Sequence, residues 1–290
     1  MKEISWKSKK FPLSISFKAF DDSNIIDQLP FTIWHQAPAI PKRKIRAGML
    51  QFLSQRPQPE ELLFLPAFLR NYKELIHQYT GYLCPPPLDI KVILGQAYRF
   101  GFYSQDPLGF EKDEIAIILE KIRQSPDKKP NLEQLGLTGT AVDVSSLKSV
   151  PPVFERISWK KSRQKQMIIL GIHDHPVDQR LSALLGRFFH GLGHMLVAER
   201  VIEKENEQIA QSWATALLKA VRNHAHEHPC TVGQLIPQNS KFPSEVENLK
   251  IEQLCQVAIP ATFTGELFEQ KDLFRLLKDT KEKLCEEEQE

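Results

Sequence analysis

Two kinds of hydrophobic spacing run along the chain, and they predict different elements. Near the start, Leu13, Ile15 and Phe17 alternate with polar residues, which is the period of a half-buried strand. Prolines then interrupt the pattern repeatedly, so the first sixty residues otherwise predict irregular structure. From Pro59 to Tyr79 apolar residues recur at helical spacing, and Pro66 is expected to divide this stretch.

The next part of the chain predicts a helix followed by a linker. Residues 88–104 are apolar and aromatic, which fits either a helix or a strand. Glu111–Arg123 has an isoleucine-rich stripe and predicts a helix, and the polar stretch Ser125–Pro130 predicts a linker. We therefore place a boundary between an N-terminal mixed or helical region of unknown role, residues 1–128, and a second domain, residues 129–235.

The second predicted domain begins with strands and ends with two helices. Thr138–Val144 and Val153–Trp159 have the composition of strands, and Met167–Leu170 predicts a short buried strand. A polar loop follows, and a long apolar helix then runs to Val197. Glu207–Arg222 predicts a second helix.

The C-terminal region, residues 236–290, predicts a helical extension. Its helices are expected at Ile251–Val257 and Gln270–Leu284. The whole pattern predicts an α+β fold, in which a small sheet packs on a helix pair and mostly helical additions lie at both ends.

Composition and charge narrow the function classes. The chain has 290 residues, of which 41% are apolar and 26% charged, as in an ordinary globular protein of one or two domains. Its 38 basic and 36 acidic residues leave a net charge of +2, which argues against a dedicated nucleic-acid binder. No apolar run approaches the ~20 residues of a membrane span. Four scattered cysteines predict free thiols and a cytoplasmic location.

Histidines supply the main candidate chemistry. Seven of the nine lie between residues 173 and 228. Among these, His190 and His194 are four residues apart in the long apolar helix, so they differ by about 40° around its axis and can face one ion. Imidazole is a good ligand for zinc and similar metals, and a third protein ligand has to come from another part of the chain.

Glu207 is the predicted third ligand. Glu199 is nine residues after His190, about 180° around the helix, so it faces away. Glu207 reaches the pair only if the chain turns before it. Asn206 is a competent N-cap for a new helix beginning at Glu207, which would complete a helical hairpin.

This part of the chain resembles the ImmA/IrrE type of zinc peptidase. In that family a strand leads to a helix with an arginine near its start and the motif H-E-L-G-H, and a later helix begins with an acidic residue. Here Met167–Leu170 is the strand, Arg180 or Arg187 is the arginine, Phe188–His194 reads FFHGLGH, and Glu207–Leu218 is the later helix. The resemblance covers about sixty residues.

The resemblance implies a zincin-like fold and a divalent metal, with zinc first among the candidates. It implies that His190, His194 and Glu207 hold the metal, and that the protein binds a peptide or protein partner. One residue departs from the motif, because Gly191 stands where a zincin has its catalytic glutamate. Glycine cannot transfer a proton, and removing a general acid or base commonly lowers a rate ~10²–10⁴-fold. Peptidase activity is therefore expected to be weak or lost.

A replacement base is one further possibility that the sequence offers. His173, Asp174 and His175 precede the long helix and are weak candidates for a catalytic role. The structural alternative, which we prefer, is that Asp174 or Asp178 caps the helix and the histidines are solvated.

Two other functions stay open. One is a metal-dependent enzyme that is not a peptidase, similar at this level to ubiquinone-biosynthesis proteins with an H-D-x-x-H helix. The other is a metal-free adaptor or effector whose histidines are structural. A second cluster, His224, His226 and His228, precedes Pro229 and is interpreted as a helix terminus, where the dipole favours histidine.

Overall fold

The described part of the chain forms a mixed sheet covered on one face by helices. The computed structural model describes residues 4–7, 13–20, 32–36, 46–81, 88–104, 140–142, 152–158, 166–196 and 203–259. The strands in these ranges are β1 (Ile4–Lys7), β2 (Leu13–Ala19), β3 (Thr32–Gln36), β4 (Arg46–Gln55), β5 (Leu88–Ser104), β6 (Thr140–Val142), β7 (Val153–Ser158) and β8 (Gln166–Ile172). The helices are α1 (Pro59–Asn71), α2 (Lys73–Thr80), α3 (Val177–Leu196), α4 (Glu203–Glu227), α5 (Val232–Leu235), α6 (Ser244–Glu247) and α7 (Ile251–Ala258).

The long strand β5 organises the sheet. Its first half pairs in parallel with β2 on one side and with β8 on the other, and β1 and β7 add antiparallel strands outside them. Its second half pairs antiparallel with β4 and β6, and β3 pairs with β4. In the first half, the paired residues Ile4, Phe17, Val92, Ile168 and Ile157 form one apolar row across five strands.

Helix α3 covers the sheet at β7 and β8. Its apolar residues recur at helical spacing and are buried against the same sheet face as Ile168, Leu170 and Ile172. They are Leu181, Leu184, Leu185, Phe188, Phe189, Leu192, Met195 and Leu196. α1, α4 and α7 pack around α3, so the helix that carries the histidine pair is enclosed on several sides.

Two glycines let α3 approach its helical neighbours closely. A Cβ on Gly186 would lie 2.7 Å from the backbone oxygen of Ala258 in α7. A Cβ on Gly193 would lie 2.8 Å from the backbone oxygen of Ala210 in α4. These distances are too short for a side chain, so glycine sets the spacing of both helix contacts.

The predicted break at Pro66 is wrong. Pro66 lies inside α1, and the chain divides at Tyr72 instead. Proline removes one backbone donor from a helix interior, which destabilises it. Burial offsets this effect here, because Phe64, Leu65 and Phe68 around Pro66 lie in the core.

The α+β class is confirmed, but a mostly helical N-terminal addition is wrong. Five of the eight described strands come from residues before 105, and β2 is the one among them that the sequence predicted as a strand without an alternative. Residues 88–104 form a strand. The predicted boundary at residues 128/129 lies outside the described residues, and strands from both sides of it, β5 and β8, pair in one sheet.

Most other predicted elements are present with shifted ends. The strands at Val153–Ser158 and Gln166–Ile172, and the helix at Ile251–Ala258, are confirmed. The predicted helices at Glu111–Arg123 and Gln270–Leu284 and the linker at Ser125–Pro130 lie outside the described residues. No helix in the described ranges is long and apolar enough to cross a membrane.

Candidate metal centre

Three side chains meet where α3 crosses the edge of the sheet. α3 carries His190 and His194 on one side, and β7 carries Glu155 beneath them. The two histidines lie one helical turn apart because they are four residues apart in the sequence. Glu155 is brought beside them because β7 pairs with β8, on which α3 packs.

The three side chains form a chain of short contacts. Nδ1 of His190 lies 3.1 Å from Oε2 of Glu155, and Nε2 of His190 lies 3.1 Å from Nε2 of His194. The two imidazole rings are nearly perpendicular, with an interplanar angle of 81° and centroids 4.5 Å apart. The two Nε2 atoms therefore lie within hydrogen-bond distance of each other beside the helix.

The tautomers of the two histidines decide which atom donates in each contact. An ionised carboxylate only accepts hydrogen bonds, so Nδ1 of His190 donates to Glu155. Nε2 of a neutral His190 is then the acceptor for Nε2–H of His194. A metal bound between the rings would require that His194 carry its proton on Nδ1 instead.

The site is shielded but not sealed. The side chains of His190 and Glu155 are 16% and 6% exposed, and His194 is 9% exposed. Charge–dipole interactions are stronger in such partly desolvated surroundings than in bulk water.

Gly191 leaves the room that Glu155 occupies. A Cβ at position 191 would lie 2.7 Å from Oε1 of Glu155 and 3.3 Å from Cγ2 of Ile168. The close approach of β7 and β8 is therefore a packing reason for glycine at this position. The helix has no carboxylate at position 191, and the carboxylate of Glu155 on the neighbouring strand lies beside this position instead.

Glu207 lies in the first turns of α4, with its side chain outside the described part of the structure. The helix begins at Glu203, four residues before the predicted start, so Asn206 is inside the helix and is not its N-cap. Glu207 is three residues before Ala210, which packs on Gly193. Within the described residues no group of three His, Cys, Asp or Glu side chains is arranged to hold a metal.

The predicted loop candidates lie at the other end of α3. His173, Asp174 and His175 precede Val177, and about 20 Å of helix separates that residue from His190. His173 is buried with its ring 5.9 Å from that of Phe154, which points to the sheet face opposite Glu155. The structure does not bring this loop to the histidine pair.

The arginine at the start of α3 has a structural partner. Nε of Arg180 lies 2.7 Å from Oε1 of Glu61 and its Nη2 lies 3.2 Å from Oε1 of Glu60, so it joins α3 to α1. Burial raises the pKa of Glu61 to about 7, and the nearby Arg180 charge only partly opposes this increase. Arg187 is exposed.

The second histidine cluster lies at the end of α4. His224, His226 and His228 are exposed, and Nδ1 of His226 lies 3.0 Å from Oε1 of Glu252 in α7. α4 ends at Glu227, as a helix-terminal cluster requires. His226 therefore contacts a neighbouring helix at the protein surface, while the ring of His224 lies 6.1 Å from that of Tyr72.

Glu155 is the site residue that the sequence analysis missed. Val153, Glu155 and Ile157 share one face of β7, so a single acidic residue interrupts an apolar row. A buried charge requires a partner, so the acidic residue in this apolar row was the signal in the sequence that Glu155 belongs to a site.

Comparisons with protein-family models, curated proteins and solved structures give no match.

Proposed function

We propose that this protein is a zincin-like metal-binding protein with weak or lost peptidase activity. His190, His194 and Glu207 would hold a divalent metal, zinc first among the candidates. The protein would act by binding a peptide or a protein partner. The resemblance of the helix pair to ImmA/IrrE-type peptidases motivates this proposal, and the geometry of the described side chains supports it.

The separation of the two Nε2 atoms carries the proposal. Two ligands at the zinc–nitrogen distance of 2.0–2.1 Å, arranged tetrahedrally, lie about 3.3 Å apart. The Nε2 atoms of His190 and His194 are 3.1 Å apart. The spacing of these two nitrogens is therefore close to that of two ligands of one zinc ion.

The packing of α4 is consistent with a ligand at Glu207. Ala210 lies against Gly193, one residue before His194. Residues three apart are neighbours on a helix surface, so Glu207 is placed one turn from this contact. An acidic residue there would supply the negative charge that balances a divalent cation.

Weak or lost peptidase activity follows from the residues around the metal site. A bound zinc ion would supply a Lewis acid that polarises a carbonyl group or a water molecule. Position 191 carries no proton acceptor, and the loop with His173 and Asp174 lies at the opposite end of α3. Without a general base, the same scaffold can still bind a carbonyl-containing partner.

The edge of β7 that no described strand covers lies beside the histidine pair and favours a peptide partner. β7 pairs with β8 alone among the described strands. An extended peptide can add to such an edge through its main-chain hydrogen bonds. A peptide on β7 would lie within reach of His190, because Glu155 of that strand already contacts it.

Metal analysis of the purified full chain tests the proposal. We expect about one zinc ion per chain in the wild type, a large loss in His194→Ala, and a weaker loss in Glu207→Ala. His226→Ala is the matched control, because His226 is also paired with a glutamate but lies in the surface cluster. Equal zinc content in all four proteins would refute the metal site.

A metal-free adaptor is the second candidate function, and one observation favours it. Nε2–H of His194 can donate to Nε2 of His190, so the two rings satisfy each other without an ion. The same zinc measurement separates the two functions. An adaptor would keep its partner binding in His194→Ala and in the presence of a chelator.

A further inference from the structure

Glu155 lies in surroundings that normally exclude a carboxylate. Its neighbours on the same face of β7 are Val153, which is buried, and Ile157, which packs against the core. Oε1 is buried and accepts no hydrogen bond in the described part of the chain, while Oε2 accepts from His190. The bond to His190 is therefore the contact that orients this carboxylate.

Gly191 and Glu155 occupy complementary positions. Oε1 of Glu155 lies 2.7 Å from the point at which any residue larger than glycine would place its Cβ. A side chain at position 191 would displace the carboxylate and break its contact with His190. The glycine in the middle of α3, which lowers helix propensity by about 1 kcal/mol, is thus matched to the acidic residue on β7.

We propose that Glu155 is a positioning residue of the metal site: its carboxylate, which lies over Gly191, keeps the proton of His190 on Nδ1 and directs the Nε2 lone pair toward Nε2 of His194. This inference rests on the proposed function. Glu155 acts through His190, since its oxygen contacts the ring nitrogen opposite the one that would bind the ion.

Two effects follow from this arrangement. The hydrogen bond fixes the rotation of the His190 ring, so less conformational freedom is lost when a metal binds. The carboxylate also makes the imidazole a more basic ligand. Removing such an outer partner typically weakens metal affinity 10–100-fold.

Zinc affinity of matched glutamine variants tests the first consequence. Glu155→Gln keeps the shape of the side chain and removes its charge, and Glu252→Gln makes the same change at the surface pair with His226. Competition with a chromophoric chelator should show a 10–100-fold weaker zinc affinity for Glu155→Gln. Glu252→Gln should bind zinc as the wild type does.

The proton position on His190 tests the second consequence without any metal. Nitrogen NMR of the zinc-free full chain should show His190 with its proton on Nδ1 in the wild type and in Glu252→Gln. In Glu155→Gln the amide can donate as well as accept, so a substantial population with the proton on Nε2 is expected. A merely structural role of Glu155 would not move this signal.

The two measurements fail in distinguishable ways. A wild-type chain that binds no zinc would overturn the proposed function. A wild-type His190 with its proton on Nε2 would overturn the role of Glu155, whether or not zinc binds. Unchanged zinc affinity in a folded Glu155→Gln variant would also overturn that role.

Discussion

Nε of Arg180 lies 2.7 Å from Oε1 of Glu61, and this pair joins the start of α3 to α1 inside the protein. The two atoms lie at ion-pair distance but are not aligned as a hydrogen bond. Burial therefore has the larger effect on the carboxyl group and raises the pKa of Glu61 to about 7.

Glu61 should make the stability of the protein depend on pH. Between its unfolded pKa of 4.5 and its folded pKa of about 7, the native carboxyl holds a proton that the unfolded chain has released. The free energy of unfolding should therefore fall as pH rises through this window, by at most about 3 kcal/mol. Urea unfolding of the wild type and Glu61→Gln measures this difference.

The neighbouring carboxylate provides the control for Glu61. Glu60→Gln removes a second acidic contact of Arg180 but leaves Glu61 buried. The free energy of unfolding of this variant should therefore still fall as pH rises. If the free energy of unfolding depended on pH in the same way for the wild type and Glu61→Gln, Glu61 would not be the source of the pH dependence.

Gly193→Ala should separate α3 from α4. Its new Cβ would meet the backbone oxygen and Cα of Ala210 at 2.8 and 3.0 Å, and these backbone atoms can move away only if the two helices shift apart. We expect a net loss of about 1–3 kcal/mol in the free energy of unfolding, despite the better helix propensity of alanine. Chemical denaturation measures the loss.

Gly191→Ala is the natural comparison for that variant. Its nearest obstacle is the end of the Glu155 side chain, which can rotate away. It should therefore lose less stability than Gly193→Ala. A larger loss for Gly191→Ala would show that the sheet, and not α4, sets the position of α3.

Gly191→Glu should not restore a peptidase by itself. The introduced side chain would collide with Glu155 and place two carboxylates together in a shielded site. Glu155→Ala combined with Gly191→Glu removes both conflicts. We expect the double variant to be more stable than the Gly191→Glu single variant, with a coupling energy of at least ~1 kcal/mol.

Cleavage of a mixed peptide substrate with added zinc is the second measurement for these variants. Proteolysis that appears in the double variant alone would support the zincin-like scaffold. Proteolysis in the single variant would contradict the collision inferred at position 191, as would additive stability changes.

Gly171 and Phe154 form a second coupled pair, on the sheet face opposite His190 and His194. A Cβ on Gly171 would overlap the ring of Phe154 on the neighbouring strand. Gly171→Ala should therefore lower the free energy of unfolding by about 1–3 kcal/mol. In the presence of Phe154→Ala the same change should be nearly neutral, and a full loss there would contradict the contact.

Local patterns were sufficient for the elements that bury one face along a continuous stretch. The alternation of Leu13, Ile15 and Phe17 predicted β2, and the helical spacing in α3 predicted the face that carries His190 and His194. Periodicity depends only on residues that are close in the sequence, and such residues are enough to define which face of a strand or helix is buried.

Pairing between distant segments was not accessible from the sequence in this way. β3 and β4 lie in a stretch broken by prolines, and they are held by pairing with each other and with β5. Glu155 contacts His190 across 35 residues of chain, so spacing alone gives no sign of the contact. An acidic residue in an otherwise apolar strand face was the one local indication.

The position of β5 decides how the histidine-bearing helix can be obtained experimentally. α3 packs on β8, and β5 is the described strand that pairs with β8 in parallel. Some sixty residues of chain separate β5 from β8. Closing such a connection before its contacts form slows folding. A fragment that begins after residue 128 would present β8 without its partner along one whole edge, and an unpaired edge promotes association. The helix that carries His190 and His194 and the N-terminal strands should therefore be expressed, labelled and unfolded as one cooperative unit.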